Sequence, residues 1–101
     1  MKIGMIGAGS WGLALAGLLM DNGHDVKAWS RNVEEVRELN EKHELKRYLP
    51  GIIFSEKLKA YTDMEAVVKD TELLVLAVPS VAVRDCSRQL KPYLTNQIIN
   101  K

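Results

Sequence analysis

Short apolar runs alternate with longer stretches of helical periodicity along the chain. The first run, Lys2–Ile6, reads as a strand that enters a glycine turn, and a helix follows from about Ser10 to Asp21. Gly23 suits the left-handed position just past a helix end, where a missing Cβ removes the steric cost. Val26–Trp29 reads as a second strand. Asn32 then starts a helix as its cap, with Glu35 placed to reach back in a capping box, and with Val33, Val36 and Leu39 on one face. Residues 43–57 are less regular, and Pro50-Gly51 within them signals a turn. Leu58–Tyr61 is a short third strand, after which Thr62 or Asp63 caps a helix running through Val68, with Glu65 placed for a capping box on Thr62. Leu73–Val78 is continuously apolar, as a parallel strand covered on both faces should be, and Pro79 ends it. A helix from about Ser80 to Leu90 presents Val83, Cys86 and Leu90 on one side. Pro92 lies just beyond it, and Gln97–Ile99 begins a fifth strand.

Strands alternating with helices, joined by right-handed crossovers, predict an α/β fold with an open, doubly wound parallel sheet of the Rossmann type, here about five strands. Ligands of such sheets sit at the carboxyl ends of the strands, near the switch point, so the loops after Ile6, Trp29 and Val78 are the expected binding surface.

Composition narrows the function classes. With 14 basic and 13 acidic residues the net charge is +1, and aromatics make up 6%, which argues against a nucleic-acid or membrane-surface polyelectrolyte. The single cysteine, Cys86, excludes an internal disulfide and fits a reducing, cytoplasmic setting. The apolar stretch Trp11–Met20 loosely imitates a signal peptide, but glycines at regular offsets and a strand-like run soon after Gly23 oppose that reading, and it is too short to span a bilayer. At 101 residues the chain fits one domain, 1–101, with little room for a second.

The chemistry is concentrated in Gly7-Ala8-Gly9-Ser10-Trp11-Gly12, which matches G-x-G-x-x-G between a strand and a helix. Gly7 would make the tight turn, Gly9 would let the backbone approach a pyrophosphate, and Gly12 would allow close helix–strand packing. The helix beginning there directs free N–H groups and its positive dipole end at the phosphates, with Ser10 adding a hydroxyl. An acidic residue at the end of the second strand would select NAD, and an arginine would accept the 2′-phosphate of NADP. The chain has Trp29-Ser30-Arg31-Asn32 there, while Asp25 lies at the wrong end of the strand, so Arg31 points to NADPH over NADH. His24 and His43 lack partners at metal-ligand spacing and read as surface residues, so no metal is expected. Cys86 reads as a buried small hydrophobe and Met5, Met20 and Met64 as core filling. Tyr48 could pack beside the cofactor, but the pattern favours a loop anchor.

Four segments together resemble bacterial NAD(P)-dependent glycerol-3-phosphate dehydrogenase: residues 7–16, Trp29-Ser30-Arg31-Asn32, Tyr48-Leu49-Pro50-Gly51-Ile52, and Leu74 through Ser80 ending in Ala-Val-Pro-Ser. The resemblance implies reversible hydride transfer between NAD(P)H and dihydroxyacetone phosphate, giving sn-glycerol 3-phosphate for phospholipid synthesis. It also implies Ser10, Trp11 and Arg31 as cofactor contacts, with Tyr48 a further candidate and Pro79 shaping the loop near the nicotinamide. The family carries a lysine followed by glycine just after the fifth strand. Lys101 falls a few residues too early for it and takes no such role. The helical domain bearing the family's proton-transferring lysine has no counterpart here, so the chain is expected to be a truncated N-terminal dinucleotide-binding portion that is inactive alone and supplies no catalytic residue. A homodimer is left open for the full-length enzyme, with no nucleic-acid partner and no integral membrane association. The alternative is a stand-alone NAD(P)H-binding module without catalysis.

Overall fold

A computed structural model describes residues 1–7 and 9–100. Five strands, β1 (Lys2–Ile6), β2 (Asp25–Trp29), β3 (Lys59–Tyr61), β4 (Leu73–Leu76) and β5 (Ile98–Asn100), form one sheet in the order β3-β2-β1-β4-β5. Every neighbouring pair is parallel. Helices α1 (Ser10–Asp21), α2 (Val33–Lys42), α3 (Met64–Val68) and α4 (Ser80–Leu90) supply the crossovers, and a 3₁₀ turn spans Lys91–Tyr93. The order reverses direction at β1, which places a crevice between the carboxyl ends of β1 and β4.

Each face of the sheet has its own core. On one, Ile3, Met5, Val26, Ala28 and Val75 pack with Leu13 and Ala16 of α1, Leu39 of α2, and Leu45, Phe54 and Leu58 of the irregular segment. On the other, Ile6, Trp29, Leu74 and Leu76 pack with Met64, Val67 and Val68 of α3 and Cys86 and Leu90 of α4. Consecutive residues of β4 therefore go to opposite cores, which is why that strand is apolar throughout. Met5 and Met64 are buried as expected, and Met20 packs at the margin of the first core.

Several local details differ from the sequence expectations, and those at the helix starts trace to competing partners. β4 stops at Leu76, three residues before Pro79, because the chain turns there towards the crevice; Ala77 still donates its N–H to Ile6 O at 2.8 Å. The α2 cap is Asn32, whose side chain accepts from the N–H groups of Glu34 (3.0 Å) and Glu35 (3.2 Å). The reciprocal half of the box is not made: Ser30 Oγ accepts the Asn32 N–H at 3.1 Å, and the Glu35 carboxylate is taken by Tyr48. Val33, the first residue of α2, is exposed at 65% rather than on the apolar face. Asp63, not Thr62, caps α3; the Thr62 carbonyl instead accepts from Trp29 Nε1 at 2.8 Å. His24 and His43 are half-buried rather than superficial. His43 holds the left-handed position after α2, with φ 58°, and its carbonyl accepts from Phe54 N–H at 2.7 Å.

Two contacts fix the sheet's geometry near the crevice. Asn40, on α2, donates its amide to Ala60 O and accepts from Ala60 N–H, both at 2.9 Å, so a side chain pairs with the middle of edge strand β3. Gly7 has φ +118°, and a Cβ there would press on the Ala77 carbonyl group, 2.9 Å from its carbon. No other residue tolerates both demands.

Replacing Asn40 by Ala should destabilise the chain by about 1–3 kcal/mol, because two half-buried backbone groups lose their partner; urea denaturation reads the change, and a loss near zero would contradict this role. Gly7→Ala combines a left-handed strain with a steric clash, so it should lower the melting temperature well below that of a Gly51→Ala control. Gly51 also has positive φ (83°) but has nothing within 4 Å of its would-be Cβ.

Candidate functional site

The amides at the start of α1 have no partner within the helix, as in any helix. The sequence makes unequal provision for these groups at the four helix starts. At α2 and α3 an Asx side chain caps the end and glutamates occupy the first turn, whereas α4 starts behind Pro79 with neither. At α1 the cap position is Gly9, in an extended conformation (φ −76°, ψ 179°), with no side-chain cap and no acidic residue in the first turn. A Cβ at Gly9 would meet nothing within 4 Å, so the space in front of these amides is open. That combination is a ready anion site: bare donors, a positive dipole end and room for a ligand's backbone-close approach.

Gly12 lies one turn along, buried, where a Cβ would sit 3.0 Å from Ala77 Cβ and 3.2 Å from Gly7 O. With Gly7 it lets α1 start directly against the end of β4. The three glycines thus differ in their surroundings: two are closed against Ala77, and the middle one faces open space.

The start of α1 opens onto a cleft of about 600 Å³ bounded by Gly7 and Gly9, by Trp29 to Asn32 after β2, by Ala77 to Pro79 after β4, and by Glu35, Arg47 and Tyr48. All three loops expected to form the binding surface line it. A more apolar groove of about 410 Å³ lies between the second half of α1 and residues 49–55. It contains none of the glycine-loop residues or charged cations, and the 600 Å³ cleft is the one that matches the chemistry.

Of the residues singled out from sequence, Gly7, Gly9, Arg31 and Tyr48 line this cleft together. Ser10 is exposed at its edge, where its hydroxyl donates to Tyr48 O at 3.4 Å. Trp11 projects into solvent at 63% exposure and is not part of the lining. Arg31 is exposed and makes no ion pair among the described residues. Burial pushes the Cys86 thiol of α4 up from its ordinary pKa, and Arg31 opposes that rise through its charge and a side-chain hydrogen bond to the thiol. Tyr48 anchors its loop through both ends. Its hydroxyl donates to Glu35 Oε1 at 3.1 Å, and its ring lies under the Arg47 guanidinium, 5.5 Å from centroid to Cζ. The hydrogen bond to Glu35, helped by burial, raises the Tyr48 pKa.

Two lining residues, Arg47 and Glu35, were not singled out from sequence. Arg47 lies in a segment without periodicity, and the spacing of Glu35 from Asn32 points to a capping box instead. Among the described residues no group of three or more His, Cys, Asp or Glu side chains is placed to hold a metal ion, and no helix is long and apolar enough to cross a membrane.

Comparisons with known proteins agree with this geometry. A family model for the N-terminus of NAD-dependent glycerol-3-phosphate dehydrogenase matches residues 2–100. The chain is 42% identical over 98 residues to the glycerol-3-phosphate dehydrogenase [NAD(P)+] of Bacillus subtilis, covering 97% of this chain and 28% of that protein. It is 46% identical over 97 residues to the corresponding enzyme of Shouchella clausii, covering 96% of this chain and again 28% of the relative. The crystal structure of glycerol-3-phosphate dehydrogenase from Coxiella burnetii superposes with a TM-score of 0.91 at 36% identity, over 97% of this chain and 30% of that one. The chain therefore spans somewhat under a third of the length of the proteins it matches. With its doubly wound sheet, its uncapped glycine-loop helix and a family match over nearly every residue, the chain belongs to the family of NAD-dependent glycerol-3-phosphate dehydrogenase N-termini.

Proposed function

We propose that residues 1–101 are the dinucleotide-binding part of an enzyme that interconverts dihydroxyacetone phosphate and sn-glycerol 3-phosphate for phospholipid synthesis in the cytoplasm, with NADPH the preferred cofactor and NADH a weaker one. The observation that carries this reading is the uncapped start of α1, open at Gly9 and facing a cleft whose far wall bears Arg31 and no acid at the end of β2.

In this reading the amides of the first α1 turn, with the Ser10 hydroxyl beside them, hold the pyrophosphate. Gly7 and Gly12 keep the helix start seated on Ala77, so that no side chain stands between those amides and the ligand. Arg31 receives the 2′-phosphate, since a guanidinium matches a phosphate with paired donors. Tyr48 closes the adenosine side of the cleft, Trp11 covers the ligand from the exposed rim, and Pro79 shapes the wall towards the nicotinamide. The nicotinamide, when bound, carries the hydride. Glu35 and Tyr48 are bonded to each other, so neither is free to protonate a carbonyl oxygen, and among the described residues the cleft lining contains no lysine or histidine that could. Residues 1–101 accordingly bind cofactor without turnover, and the substrate pocket is built by the portion that the longer relatives carry.

Calorimetric titration tests the cofactor assignment. NADPH should bind this chain at least several-fold more tightly than NADH. Arg31→Ala should weaken NADPH about tenfold, which is about 1.4 kcal/mol, and leave NADH nearly unchanged. Equal dissociation constants for the two cofactors in the parent chain would contradict the role given to Arg31.

A further inference from the structure

The outer wall of the cleft holds more charge than Arg31 alone. Leu45 is fully buried and accepts the N–H groups of Tyr48 (3.1 Å) and Leu49 (2.9 Å), which ties the turn bearing Arg47 to the core. The Tyr48 carbonyl meets Ser10 on α1, and its hydroxyl meets Glu35 on α2, so this turn is fastened to both helices that flank the cofactor cleft. Arg47 sits over the Tyr48 ring, a placement that restricts its freedom in advance of any ligand. Among the described residues neither Arg31 nor Arg47 is in an ion pair, and Glu35 is the one carboxylate in the cleft lining.

We propose that Arg47 is the second cation of a two-arginine grip on the 2′-phosphate of NADP(H), opposite Arg31, and that the Tyr48 hydroxyl restrains the Glu35 carboxylate from that phosphate. The proposal rests on the cofactor reading above and adds a specificity-determining residue from outside the βαβ unit. A phosphate monoester carries about −1.5 to −2 charges at neutral pH and offers three acceptor oxygens. One exposed guanidinium leaves most of that charge to solvent, whereas two converging from the β2 end and from the 45–49 turn can share it. Glu35 works in the opposite sense. A carboxylate in this cleft repels the phosphate and suits a bare ribose hydroxyl, which is how acidic residues favour NAD. Its bond to Tyr48 gives that carboxylate a partner on the loop side, and the Arg47 charge lies over the same ring.

Two ligand fragments separate the 2′-phosphate from the rest of the cofactor: adenosine 2′,5′-bisphosphate and adenosine 5′-monophosphate. Titrated calorimetrically into this chain, Arg47→Gln should weaken the bisphosphate by about five- to tenfold, the scale of one exposed charged hydrogen bond. The monophosphate should change by less than about twofold, since the lost contact is not made to it. Arg47→Lys, which keeps the charge and the fold, should recover part of the loss, and Glu35→Gln should tighten the bisphosphate selectively. If Arg47→Gln left the bisphosphate unchanged, or weakened both fragments alike while Arg31→Ala still discriminated between them, the two-arginine grip would be wrong and the cofactor reading would stand. If the parent chain bound neither fragment nor NADPH, the cofactor reading would fail and this proposal with it.

Discussion

A helix that begins against the end of a parallel strand must leave its first amides facing outward, and something has to answer them. At α2 and α3 a side chain does so, Asn32 and Asp63 respectively, while α4 begins behind Pro79 without one. At α1 the sequence withholds a cap and removes the bulk that would stand in the way, with Gly9 at the cap position and Gly7 and Gly12 closed against Ala77. Having Gly9 rather than a Ser or Asp at this position forgoes only about a few tenths of a kcal/mol. A ligand phosphate can partner those amides, and the open space at Gly9 leaves it room to approach. The crevice, the three loops and the charge on the far wall are all arranged around this helix end.

The rest of the fold keeps that end in place. β1 and β4, paired from Ile3–Leu73 to Ile6–Leu76, hold Gly7 and Ala77 at the same level of the sheet. Hydrogen bonds from Gly7 N–H to Trp29 O and from Ala77 N–H to Ile6 O, both 2.8 Å, carry the alignment into the loops themselves. The irregular segment between α2 and β3 is packed by Leu45, Phe54 and Leu58 into the core beneath α1, and Phe54 lies against Gly17 of that helix. The wall bearing Arg47 and Tyr48 is therefore anchored to the same helix whose amino end forms the phosphate site.

What could be read from the sequence was set by local rules. The bounds of β1, α1 and α4, the parallel order, and the separate roles of Gly7 and Gly12 follow from periodicity and from positions that admit no side chain. What could not be read depended on competition between distant partners. Glu35 has the right spacing for a capping box, but Tyr48, thirteen residues away, takes its carboxylate and Ser30 takes the Asn32 amide. Thr62 and Asp63 are both capping residues by type. The choice fell to Asp63 while the Thr62 carbonyl served the indole of Trp29. Arg47 left no signal, because a residue in a segment without a repeat is placed only by the contacts of its neighbours.

The central contact is an anion meeting the bare amides of the first α1 turn. Backbone amide shifts, followed by NMR while NADPH is added, address that contact directly. The largest perturbations should fall on Gly9 to Leu13, accompanied by Arg31 and the turn around Tyr48. A response confined to the apolar groove between α1 and residues 49–55, with the glycine-loop amides unmoved, would contradict it.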